Sequence, residues 1–187
     1  MALAPAAELP SPREPGTPYR VCLVCLGNIC RSPMAETVLR AEVAAAGLDG
    51  AVVVDSAGTG DWHIGDAMDP GARAALARRG YDGSGPEGHR ARQIQPSWLG
   101  QRDLILAMDS RNLSDLRRMA GSRGRWTPGV EDLDRILLFG EVGGLAEDGG
   151  GDIPDPWGGG ADEFGQVLDL LRTAAPVIAA RLARLLG

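Results

Sequence analysis

The stretch VCLVCLGNICRSPMAE, residues 21–36, reads as a short apolar strand, a loop of small residues and the start of a helix. Inside it Cys25 is followed by the five residues Leu26 to Cys30, and then by Arg31 and Ser32. A loop of that length can curl its backbone N–H groups around a phosphate-sized oxyanion, with a thiolate at the bottom and a guanidinium at the rim. The strand-to-helix turn aims the unpaired N–H donors of a helix N-terminus into the same hollow.

Outward from this loop, strands and helices alternate. Strands are expected over residues 20–25, 52–55, 104–108 and 136–139, and helices over 32–46, 70–79, 112–119 and 164–186, with a short helical turn at 97–101. Pro33 suits the first turn of its helix and Gly47 stops it, while Pro176 is expected to kink the last helix. The order predicts an α/β fold with an open, doubly wound parallel sheet, its first strand buried on both faces. Such sheets bind ligands beyond the carboxyl ends of their strands, where Cys25 falls. The segment from Glu141 to Gly151, rich in glycine and acids, reads as a mobile loop. Residues 1–18 hold five prolines without apolar periodicity and read as a flexible arm, leaving 19–187 as one domain.

Composition removes several classes of function. The chain has no lysine, which excludes a Walker-type nucleotide loop and Schiff-base lysine chemistry. Its net charge of −6 argues against broad nucleic-acid or anionic-membrane binding, so an anion site must be built locally from arginines and backbone dipoles. No run approaches the length of a membrane span, and the N-terminus lacks a signal peptide's basic and apolar regions, so a cytoplasmic protein is expected. Cys22, Cys25 and Cys30 lie within nine residues, too clustered for a disulfide framework. His63 and His89 lie far downstream without ligand spacing, so zinc is not expected.

Reactive thiol chemistry remains. A free thiol titrates near pH ~8.5, and only its thiolate attacks. Cys25 has three candidate activators in its own loop: the helix start, Arg31 and the Ser32 hydroxyl. Gly27 and Asn28 suit the left-handed backbone of an anion-binding nest, and Arg31 can hold a phosphoryl group bidentately. Alone, Cys25 would read as a small buried residue at a strand end; its spacing to Arg31 and Ser32 favours a nucleophile. Cys22, inside the strand, reads as core.

CLGNICRSP resembles the signature of the low-molecular-weight protein tyrosine phosphatases. The similarity continues through VDSAGTG at 54–60, GHRARQI at 88–94, LAMDSRNLSDL at 106–116 and DPW at 155–157. The resemblance implies a four-stranded parallel sheet with helices on both faces, the flavodoxin-like phosphatase I fold. It also implies a monomer that hydrolyses phosphotyrosine in proteins without a cofactor. By it Cys25 is the nucleophile and forms a phosphocysteine, and Arg31 and the loop residues Leu26, Gly27, Asn28, Ile29 and Cys30 bind the phosphate. Ser32 stabilises the thiolate, and Asp155 is the general acid and then base. A carboxylic acid beside a bound dianion suits that role; an Asp-Pro turn is the plainer alternative, and Asp152 is a neighbouring rival. Asn28, Ser56 and His89 match a polar network supporting the loop, while Asp109 either anchors that network or caps the following helix.

Trp62 and Trp157 match the aromatic cleft walls. Many family members carry two tyrosines after the Asp-Pro pair, whereas this chain has Trp157 and then Gly158, which lowers one wall and leaves the preference among aromatic phosphates open. Trp98 and Trp126 read as structural. In the family a cysteine at the position of Cys30 can form a protective disulfide with the nucleophile; a buried thiol is the alternative. Three other functions compete. A phosphoarginine phosphatase tends to carry threonine at the position of Ile29. A thiol-dependent arsenate reductase needs two further cysteines, and residues 80–100 hold none. A non-enzymatic phosphate-binding or redox-sensing module has no use for Asp155.

Overall fold

A computed structural model describes residues 8–81, 88–121, 133–145 and 150–187. Four strands, β1 (Tyr19–Cys25), β2 (Val52–Gly58), β3 (Leu104–Ala107) and β4 (Ile136–Leu138), form one parallel sheet in the order β2-β1-β3-β4. The chain therefore crosses from one side of β1 to the other between β2 and β3. This switch in strand order opens a crevice at the carboxyl end of β1, where Cys25 sits.

β1 alternates its side chains between two cores. Val21, Leu23 and Cys25 join the core beneath α1 (Arg31–Ala45), α2 (Pro70–Arg78) and the C-terminal helix α5 (Ala161–Leu186). Cys22 and Val24 join a smaller core with α3 (Ser110–Gly121) and the 3₁₀ turn Pro96–Gly100. Helices thus cover both faces, as expected for a doubly wound sheet. α2 begins at Asp69, whose side chain accepts from the N–H of Gly71 at 2.7 Å, with Pro70 following. The Asp69 N–H donates to Ile29 O at 2.8 Å, which fastens this helix start to the loop after β1.

Several boundaries differ from the sequence reading. β2 continues through Ser56, Ala57 and Gly58, because these small residues pair in register with Leu23, Val24 and Cys25 although they are not an apolar run. β4 stops at Leu138, and Phe139–Val142 forms the short helix α4, so the expected loop from Glu141 begins inside a helix; residues 146–149 of that loop lie outside the described residues. α5 begins three residues before Phe164, at Ala161, and is a single helix through Pro176.

The described part of the N-terminal arm lies against the domain. Arg13 N–H donates to Asp103 Oδ1 at 2.6 Å, its side chain donates to Arg102 O and Leu99 O, and Tyr19 Oη donates to Pro10 O. Asp103, 5% exposed, also accepts Arg20 N–H at 2.7 Å and so joins the arm to the start of β1. Burial, and then the Asp103 charge, push the Tyr19 phenol well above its usual range, so it is a neutral donor. Asp103→Ala removes a charged acceptor from two backbone donors and is expected to cost about 3 kcal/mol in urea unfolding; a loss under ~0.5 kcal/mol would contradict this anchoring.

Candidate active site

Among the described residues Asn28 is the one non-glycine residue with positive φ, at 56°. Its amide explains why it tolerates that conformation. Nδ2 donates to Ser32 Oγ and to Ser56 Oγ, both at 2.9 Å, and Oδ1 accepts the Arg92 N–H at 3.0 Å. His89 donates from Nε2 to Asn28 O at 2.8 Å; because a carbonyl only accepts, that nitrogen carries the proton. Gly27, expected to share the left-handed backbone, does not adopt it. Its need is space: a β-carbon there would lie 2.9 Å from His63 Cδ2. The loop also rests on Gly58, where a β-carbon would meet Leu26 O at 2.6 Å.

The Cys25 sulfur lies at the floor of this loop, 3% exposed as a residue. It receives the Asn28 N–H at 3.3 Å and contacts Ser32 Oγ at 3.0 Å. Ser32 has a single proton, with Ala57 O at 3.2 Å as the competing acceptor, while Asn28 fills one of its lone pairs. A charged sulfur wins that proton, since hydrogen bonds to ions are about twice as strong as neutral ones.

Arg31 opens α1 and is 3% exposed. Nη1 pairs with Asp109 Oδ2 and donates to Ile153 O at 3.2 Å, while Nη2 pairs with Asp155 Oδ2 at 2.8 Å. Burial by itself lowers the guanidinium's pKa. The Cys25 sulfur and the two carboxylates overcome it and hold the group above its usual range, a permanent cation. The other oxygen of Asp109 accepts the Asn112 N–H at 2.7 Å and so caps the start of α3, while its partner in the site is Arg31 and not Asn28, Ser56 or His89. Asp155 is 43% exposed beside the cleft. Its rival Asp152 is occupied elsewhere, accepting the Ser110 N–H and hydroxyl at 2.8 and 2.7 Å.

Cys25, Leu26, Gly27, Ile29, Cys30 and Arg31 line one pocket of ≈ 200 Å³ together with Trp62, His63, Asp155 and Trp157. The two tryptophans stand at its mouth, 62% and 68% exposed. Asn28 and Ser32, expected among the binding residues, do not line it; they are fully buried behind the loop. Ser56 donates to Glu36 Oε2 at 2.6 Å, and Glu36, 4% exposed, pairs through its other oxygen with Arg40. Glu36, Arg92, His63 and Gly58 are absent from the sequence-derived set. The four-residue spacing of Glu36 and Arg40 was the one readable signal, since the backbone N–H of Arg92 and the space at Gly58 leave no mark of residue type.

Of the remaining thiols, Cys22 belongs to the core alone, while Cys30 is buried but also lines the pocket. Cys22 is fully buried, and desolvation with the adjacent Asp55 raises its pKa well above the usual range. The Cys30 thiol is pushed up to about 12 by burial, then by Asp69, Cys25 and Asp155, with Arg31 opposing. Trp98 packs against Arg92 and Arg102, whose guanidinium carbons are 5.0 and 4.8 Å from its ring centre. Trp126 falls outside the described residues. A buried sulfur, a fixed guanidinium and a reachable carboxylate facing one pocket suit attack on phosphorus with proton transfer to a leaving oxygen.

Comparison with known proteins finds phosphatases. The family model for low molecular weight phosphotyrosine protein phosphatase matches residues 20–185. A Streptomyces coelicolor protein named low molecular weight protein-tyrosine-phosphatase is 45% identical over 157 residues, covering 84% of this chain and 89% of its own. The crystal structure of YfkJ from Bacillus subtilis superposes with a TM-score of 0.71 at 36% identity, covering 89% of this chain and 96% of that one. YwlE, also from Bacillus subtilis, is described as an arginine phosphatase. Its Cys-to-Ser mutant with a phosphorylated active-site serine superposes at 0.68 and 26% identity, covering 87% and 95%.

Proposed function

This chain belongs to the low molecular weight phosphotyrosine protein phosphatase family, and on that premise we propose that it hydrolyses phosphotyrosine in proteins through a phosphocysteine. The observation that carries the proposal is the convergence of Cys25, Arg31 and Asp155 on a pocket walled by Trp62 and Trp157. Phosphoserine, with its short stem, does not span such a cleft.

In the first step the Cys25 thiolate attacks phosphorus in line with the tyrosyl oxygen. The P–O bond breaks as Asp155 protonates the departing phenolate. Arg31 and the N–H groups of the loop hold the three equatorial oxygens, whose charge grows in the transition state. Arg31 Nη2 pairs with the Asp155 carboxylate at 2.8 Å, and on substrate binding phosphate takes the carboxylate's place on the guanidinium. In the second step the Asp155 carboxylate takes a proton from water, whose oxygen attacks the phosphocysteine. The P–S bond breaks, phosphate leaves, and the thiolate returns to the Asn28 and Ser32 donors. No step calls on a metal or a cofactor.

The likeness to YwlE makes phosphoarginine the second reading. Ile29, at the pocket wall where that branch tends to carry threonine, supports the aryl ester instead. We place the enzyme in the cytoplasm as a monomer; among the described residues no helix is long and apolar enough to cross a membrane. Cys30 is its redox guard: oxidation of Cys25 by peroxide gives a sulfenic acid, and attack by the Cys30 sulfur yields a Cys25–Cys30 disulfide and water. Because the Cys30 pKa is raised to about 12, its thiolate is scarce at neutral pH, and closure accelerates as pH rises.

Cys25→Ser is expected to abolish turnover of phosphotyrosine. Asp155→Ala is expected to slow it roughly 100-fold or more while slowing a nitrophenyl-type ester with a good leaving group far less. Equal slowing of both esters would reject Asp155 as the acid, and wild-type preference for phosphoarginine would reject the aryl reading. After peroxide, mass spectrometry is expected to find the Cys25–Cys30 bond, forming faster in alkaline than in neutral buffer. Sulfonic acid at Cys25 with no disulfide would reject the guard.

A further inference from the structure

The turn that carries Trp62 is fastened on both sides. Gly60 N–H donates to Leu26 O of the phosphate-binding loop at 2.9 Å. Beyond the tryptophan, Gly65 N–H donates to Ala91 O and Ala91 N–H returns to Asp66 O, both at 2.8 Å. His63 rests its Cδ2 edge against Gly27 and ties Nδ1 to Asp66 Oδ2 at 2.9 Å. Between these fixtures the indole of Trp62 folds back over Gly60. A β-carbon on Gly60 would lie 2.4 Å from both Cη2 and Cζ3 of that ring and 2.9 Å from its Cε3.

These distances mean that a side chain at residue 60 would displace the Trp62 ring from its present position. Its φ lies outside the left-handed range, so no left-handed backbone requires glycine there. The obstacle is the six-membered ring of Trp62, which occupies the space a side chain would fill. Gly58 differs, because backbone atoms of the phosphate-binding loop press on it, and Gly158 differs again, with a φ of 79°. Gly60 alone of the three is held open for an aromatic ring.

We infer that Gly60 is a specificity-determining residue: its missing side chain seats the Trp62 indole as the fixed aromatic wall that selects aryl phosphates. The inference rests on the proposal that the cleft takes an aryl ester. The opposite wall gives it weight. Trp157 is about as exposed as Trp62, 68% against 62%, but the three residues that follow it, Gly158, Gly159 and Gly160, offer no side chain for its ring to pack against. Trp62 has a seat, a fastened turn and a neighbouring imidazole braced on the phosphate-binding loop. A methyl group at residue 60 drives the indole off its seat and leaves the backbone bonds of the loop in place. The change therefore falls on the ring-binding part of the substrate, with the phosphate-binding part unaltered.

A double-mutant cycle tests this. Steady-state kinetics of wild type, Gly60→Ala, Trp62→Ala and the double variant are measured with phosphotyrosine and with phosphoserine, alongside inhibition by inorganic phosphate. Gly60→Ala is expected to raise KM for phosphotyrosine about 3- to 10-fold, the worth of one aromatic contact, without moving the phosphate inhibition constant. Gly60→Ser is expected to do the same. In the Trp62→Ala background the Gly60 substitution is expected to be silent, because the two residues act as a unit. An unmoved KM in both Gly60 variants would overturn the inference. So would a KM rise that persists without Trp62, or one matched by weaker phosphate inhibition, because either means that Gly60 acts through its bond to Leu26. A wild-type enzyme that treats phosphoserine and phosphotyrosine alike would instead overturn the aryl reading beneath it.

Discussion

A single asparagine in a left-handed conformation organises this molecule's site. Non-glycine residues avoid that region, at a cost on the order of 1–3 kcal/mol, unless their surroundings over-determine it. Asn28 meets that condition. Its amide reaches Ser32 at the start of α1, Ser56 in β2 and the backbone of Arg92, and its carbonyl takes a proton from His89. These bonds turn the Asn28 N–H onto the Cys25 sulfur and set the Ser32 hydroxyl beside it. Behind them stands a buried carboxylate, Glu36, itself neutralised by Arg40. The loop's curvature is therefore stored in side-chain hydrogen bonds from elements remote in sequence.

The parallel sheet makes this convergence possible. β1 delivers Cys25 at a carboxyl end, β2 runs beside it long enough to bring Ser56 level with Leu23, and β3 leads directly into Asp109. Arg31 then ties the first helix to two carboxylates from the other side of the switch in strand order. That pairing neutralises the buried cation, and in the proposed mechanism a phosphate dianion replaces one carboxylate with a stronger charge. The cleft above is asymmetric, one tryptophan seated and the other followed by a run of glycines.

Much of this was legible in the residues. Periodicity and the glycine and proline stops announce β1, α1 and α2 to within a residue, because apolar burial drives those elements. The cysteine, arginine and serine of the loop are readable as a unit because chemistry needs those types at that spacing. What escaped detection depends on space or on backbone atoms. The last third of β2 is built from Ser56, Ala57 and Gly58, small residues that pair by register. Gly27 reads as a left-handed residue when its real constraint is the imidazole of His63. The arm around Arg13 reads as flexible from its prolines, yet a buried carboxylate 90 residues away, Asp103, holds it. Glu36 looks like an ordinary helix charge until Ser56 is known to face it.

The claim that the Asn28 side chain shapes the phosphate-binding loop is most directly tested by the affinity of Asn28→Gly for inorganic phosphate. Glycine adopts the positive φ freely, so this variant keeps the backbone option and loses only the amide's bonds. With three hydrogen bonds removed, each worth about 1 kcal/mol, the account predicts a loss of at least about tenfold in phosphate affinity. Wild-type affinity in Asn28→Gly would contradict it, because the backbone alone would then suffice to build the cradle.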